Sequence, residues 1–225
     1  IFGKVKTGGA DRTPIPEIGA NNLLEDLKAN KFGANPVIVD IRESNEVQRS
    51  GALYIESASI LHAPRGVAIA KILTDVPDLN THLILSCRDG ARSVLLAADL
   101  RALGYNSTVV SDGAMGCAKQ GLMKAYDADP TTAGKWDGEL DLAPPALTEH
   151  IQQLKSSIVA MTAEELASGL KEKNLVVFDV RQENERSSGA ILNTQWVPAG
   201  EFEKKARFHA HNLNTPIVIY SADDG

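Results

Sequence analysis

An internal repeat places the strongest constraint on how this chain can fold. The segment VIVDIRESNEVQRSGAL at 37–53 recurs as VVFDVRQENERSSGAIL at 176–192. Three polar residues keep their spacing and return 139 positions later: Asp40, Arg42 and Glu46 correspond to Asp179, Arg181 and Glu185. A match of this length predicts two copies of one structural unit.

A second pair of matching segments extends the repeat. HLILSC at 82–87 corresponds to PIVIYS at 216–221, with an offset of 134 positions. The offset shrinks by five within 51–63, where the first copy has the longer loop. Cys87 of the first copy therefore aligns with Ser221 of the second.

The repeat divides the chain into three parts. We predict a catalytic unit over 15–126, a linker with a short helix over 127–157, and a second unit over 158–225. The linker begins in a stretch rich in Pro, Gly, Asp and Thr, which is typical of a connection between domains. The second copy lacks elements that follow Cys87 in the first. We therefore expect the natural protein to continue past Gly225, or another element to complete the domain.

Short apolar runs alternate with helical patterns along the chain. We predict strands at 36–41, 83–86 and 107–110, a turn at 111–114, and helices at 21–30, 66–74, 92–104 and 147–158. Thr162 and Glu165 have the spacing of a capping box at the start of a further helix. Alternation of this kind predicts an α/β fold, with parallel sheets flanked by helices. Ligands of such sheets bind at the carboxyl ends of the strands.

Composition excludes several classes of protein. The chain has 225 residues, of which 43% are hydrophobic and 23% charged, the balance of a globular protein. Its net charge of −6 indicates no nucleic-acid partner, and no apolar run is long enough to span a membrane. The two cysteines, Cys87 and Cys117, form neither a CxxC pair nor a disulfide scaffold. We expect no metal and no cofactor.

The loop CRDGARS at 87–93 carries the most specific chemical signal. It lies between the end of a predicted strand and the start of a predicted helix, and Gly90 allows its backbone to fold tightly. Inward N–H groups, the helix dipole and the charges of Arg88 and Arg92 would bind anions and favour a thiolate at Cys87. The alternative is that Cys87 is a small core residue.

The segment LSCRDGARS, with DIRESNE upstream, resembles the rhodanese (sulfurtransferase) family. The resemblance implies two tandem rhodanese-like domains, the second truncated, each built on a five-stranded parallel sheet. It also implies that Cys87 takes a sulfane sulfur from a donor, becomes a persulfide, and passes the sulfur to a thiophilic acceptor. Related phosphatases and arsenate reductases have a C-x5-R loop, whereas Cys87 and Arg92 are spaced as C-x4-R, as in sulfurtransferases.

The resemblance also implies roles for individual residues. Cys87 would be the nucleophile. The substrate-binding loop would comprise Arg88, Asp89, Gly90, Ala91 and Arg92. A supporting polar group would comprise Asp40, Arg42, Glu46 and Ser93, although a surface ion pair is the alternative for Glu46. Arg65 follows a predicted strand and would face the same pocket to bind an anionic donor, unless it is a solvated surface residue.

The second copy departs from the family pattern. Ser221 replaces the cysteine and is followed by Ala222, Asp223 and Asp224, and a serine hydroxyl cannot carry a persulfide. We therefore expect a non-catalytic second unit that packs against the first or forms an oligomer or partner surface. In familiar two-domain rhodaneses the active cysteine lies in the C-terminal domain, so the substrates of those enzymes do not transfer directly to this chain.

Other candidate groups carry weaker signals. Cys117 could resolve a Cys87 persulfide as a disulfide, or it could fill the core. His209 and His211 are two positions apart, but a lone pair of histidines is a weak metal-binding pattern.

Two classes of function remain open. The first is a sulfurtransferase that uses thiosulfate or polysulfide and delivers sulfur to a small thiol, cyanide or a protein. The second is a sulfur or selenium carrier, or a docking scaffold, without turnover. A phosphatase or arsenate reductase is disfavoured by the loop length. We expect an exported, periplasmic bacterial protein, with the cytoplasm as the alternative.

Overall fold

The chain folds as two compact units, which comprise residues Ile1–Val159 and Ala160–Gly225. The structure, a computed structural model, describes residues 13–126, 145–172, 175–187, 189–210, 212 and 214–221. Most of the predicted linker, 127–144, lies outside these residues.

The first unit is an α/β structure with a parallel sheet. Its strands are β1 (Glu17–Ile18), β2 (Val37–Asp40), β3 (Ala52–Leu53), β4 (Ser59–His62), β5 (Leu83–Ser86), β6 (Ser107–Val110) and β7 (Met123–Lys124). Its helices are α1 (Ala20–Lys28), α2 (Ser44–Ser50), α3 (Ala68–Asp75), α4 (Ala91–Ala102), α5 (Gly113–Lys119) and α6 (Pro145–Ser157). Five of the strands form one parallel sheet in the order β1-β6-β5-β2-β4, while β3 and β7 form a small antiparallel pair.

Strand β5 lies at the centre of the five-stranded sheet, and its side chains are buried on both faces. All of Leu83–Ser86 is buried, which is the pattern of a strand covered by helices on both sides. Alternate residues enter two separate clusters, Leu83 and Leu85 on one face and Ile84 on the other. The first cluster includes residues of α3 and α4, and the second includes residues of α1 and α5.

The strand register brings the carboxyl ends of three strands to one edge of the sheet. Asp40 at the end of β2 pairs with His62 at the end of β4 and with Ser86 at the end of β5. The segments that follow these strands therefore leave the sheet at one rim, where ligands of parallel sheets bind.

Several predicted boundaries differ from the structure by one or two residues. The predicted turn at 111–114 is shorter, because α5 already begins at Gly113. Helix α3 begins at Ala68, two residues after the predicted start. The predicted helix in the linker is present as α6, and Ile151 on it packs against the cluster on the α4 face.

The second unit repeats part of this architecture. Its elements are α7 (Ala163–Glu172), β8 (Val176–Asp179), α8 (Glu183–Arg186), β9 (Gln195–Trp196), α9 (Ala199–Lys205), a 3-10 helix (Ala206–Phe208) and β10 (Ile217–Tyr220). The strand order β10-β8-β9 matches β5-β2-β4 of the first unit, and all pairs are parallel. The Thr162–Glu165 capping box is formed, with both reciprocal hydrogen bonds present.

The two copies of the central strand differ in burial. Leu83 and Leu85 are fully buried, whereas their counterparts Ile217 and Ile219 are 44% and 51% exposed. In the first unit β6 and α4 flank β5, and the described part of the second unit has no counterpart of either element. Strand β10 is therefore an edge strand there.

None of the described helices combines the length and the apolar character needed to cross a bilayer.

Candidate functional site

The cysteine of the loop lies at the rim, immediately after the central strand β5. Cys87 is fully buried. Its carbonyl accepts a hydrogen bond from the N–H of Ala114 at 2.7 Å, and the carbonyl of Arg88 accepts one from Met115 at 3.1 Å. The first turn of α5 therefore supports the loop through two otherwise unpaired helix N–H groups.

These two bonds orient the N–H groups of the loop. In a trans peptide the N–H of one residue points opposite to the carbonyl of the residue before it. With the carbonyls of Cys87 and Arg88 turned toward α5, the N–H groups of Arg88 and Asp89 point away from that helix. Within the described residues, the N–H groups of Arg88 and Gly90 donate to no backbone carbonyl. Successive N–H groups in such an arrangement form a site for an anion.

Two glycines allow the loop to lie against the segment before α5. Gly90 has φ +86°, and a Cβ atom there would lie 2.4 Å from the carbonyl oxygen of Ser111. Gly113 has φ +55°, and a Cβ atom there would lie 2.4 Å from the carbonyl oxygen of Cys87. Each position thus requires glycine for its backbone conformation and for the close approach.

Arg92 is fixed by a two-point ion pair with Glu46 on α2. Its Nη1 and Nη2 atoms donate to Oε2 and Oε1 of Glu46 at 2.8 and 2.7 Å, and the Arg92 side chain is 5% exposed. Burial by itself would raise the pKa of Glu46, but hydrogen bonds from Arg92 and from the Glu43 N–H lower it overall. Burial would likewise lower the pKa of Arg92, and the Glu46 carboxylate raises it overall.

A second buried pair, Asp40 and Arg42, fixes the segment that carries Glu46. Arg42 donates from Nε to Asp40 Oδ1 at 2.9 Å and from Nη2 to Oδ2 at 2.6 Å. Its remaining donors reach Ser50 Oγ at 2.8 Å and the Gly51 carbonyl at 2.9 Å, both at the end of α2. Three members of the predicted polar group, Asp40, Arg42 and Glu46, therefore lie in two ion pairs that α2 connects.

Arg65 contacts helix α4. Its Nη2 donates to Asp99 Oδ2 at 2.8 Å, and the Arg65 side chain is 10% exposed. Its role in binding an anionic donor stays a prediction.

Arg88 and Asp89 are exposed, and Asp89 Oδ1 lies 3.9 Å from Cys87 Sγ. The Ala91 N–H donates to the same carboxylate oxygen at 3.4 Å.

Ser93 and His62 each place a polar atom in the protein interior. Ser93 is fully buried, and its Oγ has no hydrogen-bond partner within the described residues. His62, which sequence reasoning did not assign to the site, bonds through Nε2 to the Arg42 carbonyl at 2.9 Å. Because a carbonyl only accepts, Nε2 carries the proton. The repeat contains the same contact, because Trp196, which aligns with His62, donates from Nε1 to the Arg181 carbonyl at 3.0 Å.

The second unit retains the buried pair and changes its surroundings. Arg181 donates to both oxygens of Asp179 at 3.0 and 2.9 Å. Tyr220, in the position of Ser86, donates its hydroxyl to Asp179 Oδ2 at 2.8 Å, and its ring lies under the Arg181 guanidinium. The scaffold of the site is thus present beside Ser221, which carries no thiol. Asp223 and Asp224 lie outside the described residues.

The second cysteine lies on the other face of the sheet. Cys117 belongs to the cluster on the α1 and α5 side, whereas Cys87 belongs to the cluster on the α4 side. Burial, together with the charges of Asp112 and Asp40, raises the pKa of Cys117 to about 11. Cys117 is therefore a protonated core thiol at neutral pH.

The histidine pair noted in the sequence lies only partly within the described residues. His209 packs edge-on against Phe178, and His211 lies outside the described residues. Within the described parts of the chain, no group of three or more His, Cys, Asp or Glu residues could hold a metal ion.

Comparisons with known proteins support both copies of the repeat. The family model of the rhodanese-like domain matches residues 23–116 and 162–225. A search of curated protein sequences gave no significant match.

One solved structure shares the fold at low sequence identity, and two others match about half of this chain. The crystal structure of thiosulfate sulfurtransferase from Pseudomonas aeruginosa matches 93% of this chain at 19% identity, with a TM-score of 0.60. This chain spans 38% of the length of that protein. A rhodanese-like domain protein from Staphylococcus aureus is 23% identical over 50% of this chain and 100% of its own, with a TM-score of 0.36. The polysulfide-sulfur transferase homodimer from Wolinella succinogenes is 18% identical over 48% and 77%, with a TM-score of 0.41.

Replacing Gly90 with alanine tests the close approach of the two loops. Gly33 is the matched control, because it has φ +85° and open space around a Cβ atom. We expect Gly33→Ala to lower the free energy of unfolding by about 1 kcal/mol through backbone strain alone. Gly90→Ala should cost about 2 kcal/mol more, because the Ser111 backbone must move. Urea titrations followed by circular dichroism measure both, and equal losses would show that the contact is unimportant.

Replacing Glu46 with glutamine tests the ion pair of Arg92. We expect Glu46→Gln to lower the free energy of unfolding by about 2–4 kcal/mol, because a buried guanidinium loses its counter-charge. Asp75→Asn is the control, since it removes an i,i+4 pair with Lys71 in which the Asp75 side chain is 40% exposed, and it should cost about 0.5 kcal/mol or less. The same urea titrations compare the variants, and an equally small loss in both would contradict a structural role for the pair.

The lowered pKa of Glu46 predicts how this stabilisation depends on pH. A carboxyl group whose pKa is lower in the folded state stabilises the fold fully above its ordinary pKa, and this contribution is lost as the pH falls through the folded-state value. We expect the difference in unfolding free energy between the unmodified protein and Glu46→Gln to be constant near neutral pH and to shrink below about pH 4.3. Urea titrations at several pH values measure it, and a difference that grows with acidity would be inconsistent with the pair.

Proposed function

Because this chain belongs to the rhodanese-like domain family, we propose that it is a sulfurtransferase that works through a persulfide on Cys87. The sulfur would come from a small anionic donor, thiosulfate or a polysulfide. A thiophilic acceptor, either a small thiol, cyanide or a protein, would then receive it. The observation that carries this proposal is the support of the Cys87 loop by α5, which turns the N–H groups of the loop away from the helix.

The transfer is a displacement at sulfur. The Cys87 thiolate attacks the sulfane sulfur of the donor, a new Sγ–S bond forms, and the S–S bond of the donor breaks. The leaving group, sulfite in the case of thiosulfate, departs with the electron pair of that bond, so no external oxidant or reductant is needed. An acceptor thiolate or cyanide repeats the displacement at the outer sulfur and releases Cys87.

The loop would stabilise the negative charge of the persulfide. Backbone N–H groups at the start of α4 add to the positive end of that helix, and the αL conformation of Gly90 opens the loop around them. Arg92 lies close enough to interact electrostatically with the Cys87 thiolate. Its pair with Glu46 keeps the guanidinium in one position, so it would act mainly by closing the loop.

The second unit would have a non-catalytic role. It keeps the buried Asp179–Arg181 pair, and Ser221 stands where the first unit has its thiol. Packing, oligomer formation or partner binding are the functions open to it.

Replacing Cys87 with serine tests the persulfide directly. We expect the protein to gain the mass of one sulfur atom after incubation with thiosulfate or polysulfide, and Cys87→Ser to gain none. Intact-protein mass spectrometry measures both, and reduction with dithiothreitol should reverse the gain. Cys117→Ser is the matched control and should load like the unmodified protein, because Cys117 is buried on the other face of the sheet.

The same measurement separates the candidate functions. Turnover with a small acceptor after loading supports the enzyme. A persulfide that forms and is not discharged by small thiols or cyanide would favour a carrier that needs a protein partner. Absence of loading by either donor would contradict the proposal.

A further inference from the structure

An acidic side chain lies beside the reactive sulfur. The Oδ1 atom of Asp89 is 3.9 Å from Cys87 Sγ, a distance at which unit charges interact strongly even near a protein surface. Any donor that delivers sulfur to Cys87 must bring its own charge close to this carboxylate. The position of Asp89 is therefore relevant to the choice of donor.

The cations near the loop have acidic partners. Arg92 makes two bonds to Glu46, and Glu43 adds a further electrostatic contact to Arg92. Arg65 makes an ion pair with Asp99. Arg88, exposed at the mouth of the loop, is the remaining cation of the motif. Arg92 and Arg65 thus each have a carboxylate beside them, and Asp89 places a further negative charge next to Cys87.

Donors differ in the charge that this site must accept. Attack of a thiolate on thiosulfate brings three negative charges together. One of them stays on the persulfide, and two depart with sulfite. Attack of a thiolate on an organic hydropersulfide, R–S–SH, involves one negative charge. In that reaction the Sγ–S bond forms, the S–S bond of the donor breaks, and R–S⁻ leaves with the electron pair, while the proton stays on the transferred sulfur. A carboxylate at 3.9 Å penalises the first reaction far more than the second.

We propose that Asp89 is a specificity-determining residue that selects an organic persulfide or polysulfide, with at most one charge on its sulfur chain, over dianionic thiosulfate. The proposal rests on the sulfurtransferase function proposed above and narrows its donor. The backbone N–H groups of the loop would hold the single charge of the Cys87 persulfide, while the Asp89 carboxylate would exclude a donor that brings two.

The test compares two donors on the full chain. The probes are thiosulfate and the hydropersulfide of N-acetylcysteamine. The second probe has no ionisable group other than its S–SH end. Second-order rate constants for loading Cys87 are measured by intact-protein mass spectrometry. Each is divided by the rate constant of the same donor with free cysteine, so that intrinsic reactivity cancels.

Three proteins are compared: the unmodified chain, Asp89→Asn and Glu56→Gln. Asparagine keeps the size of the side chain and its ability to accept the Ala91 N–H, and it removes the charge. Glu56 is an exposed residue on the segment before β4, at the amino end of that strand and thus at the opposite rim. Glu56→Gln makes the same change in net charge away from the site.

We expect Asp89→Asn to raise the normalised thiosulfate constant at least tenfold and to change the hydropersulfide constant less than threefold. Glu56→Gln should change neither constant more than twofold. Added sodium chloride should accelerate thiosulfate loading more in the unmodified chain than in Asp89→Asn, because salt also screens the repulsion by the Asp89 carboxylate only in the unmodified chain.

The outcomes distinguish this inference from the proposed function. If Cys87 loads with both donors and Asp89→Asn leaves their ratio unchanged, the selectivity is wrong while the sulfurtransferase stands. If the normalised rate constant of the unmodified chain is larger for thiosulfate than for the hydropersulfide, the selectivity is also wrong and the sulfurtransferase still stands. If neither donor loads Cys87, both the proposed function and this inference are overturned.

Discussion

The buried ion pair between Asp40 and Arg42 is the interaction on which the site depends. It closes the end of β2, and the remaining donors of Arg42 bind the far end of α2 through Ser50 and Gly51. Helix α2 in turn presents Glu46 to Arg92, which completes the loop after Cys87. A series of polar contacts thus runs from the sheet through α2 to the loop that holds Cys87. The second unit keeps the same pair between Asp179 and Arg181, which indicates that this pair belongs to the fold as much as to the chemistry.

A charged pair in a protein interior is stabilising only when its hydrogen-bonding capacity is satisfied. Arg42 meets this condition with four acceptors, and Arg92 uses both oxygens of one carboxylate. The geometry is therefore specified by many contacts at once. The arginines of this site serve first to position backbone, and the charge available to a ligand is correspondingly smaller than the number of arginines indicates.

The sequence predicted the elements that depend on local patterns. The repeat, the parallel α/β fold, the central strand ending at Cys87 and the capping box of α7 follow from periodicity and spacing, and all are present. The start of α5 at Gly113 was missed because a glycine-rich segment has low helical propensity. Hydrogen bonds from Ala114 and Met115 to the Cys87 loop stabilise the helix start at this position. The partner of Arg65 was not predictable either. An ion pair with Asp99 depends on how two segments pack, and neither residue carries a local signal for it.

The reciprocal glycine contacts have a consequence for how this site can change over time. Gly90 lies against the backbone of Ser111, and Gly113 against the backbone of Cys87, so the two loops share one surface with no room for a side chain on either side. A substitution in one loop is tolerated only if the other shifts with it. The two segments, more than twenty positions apart in the chain, are therefore expected to be inherited as a single unit, and a loop transplanted without its neighbour would arrive without its support.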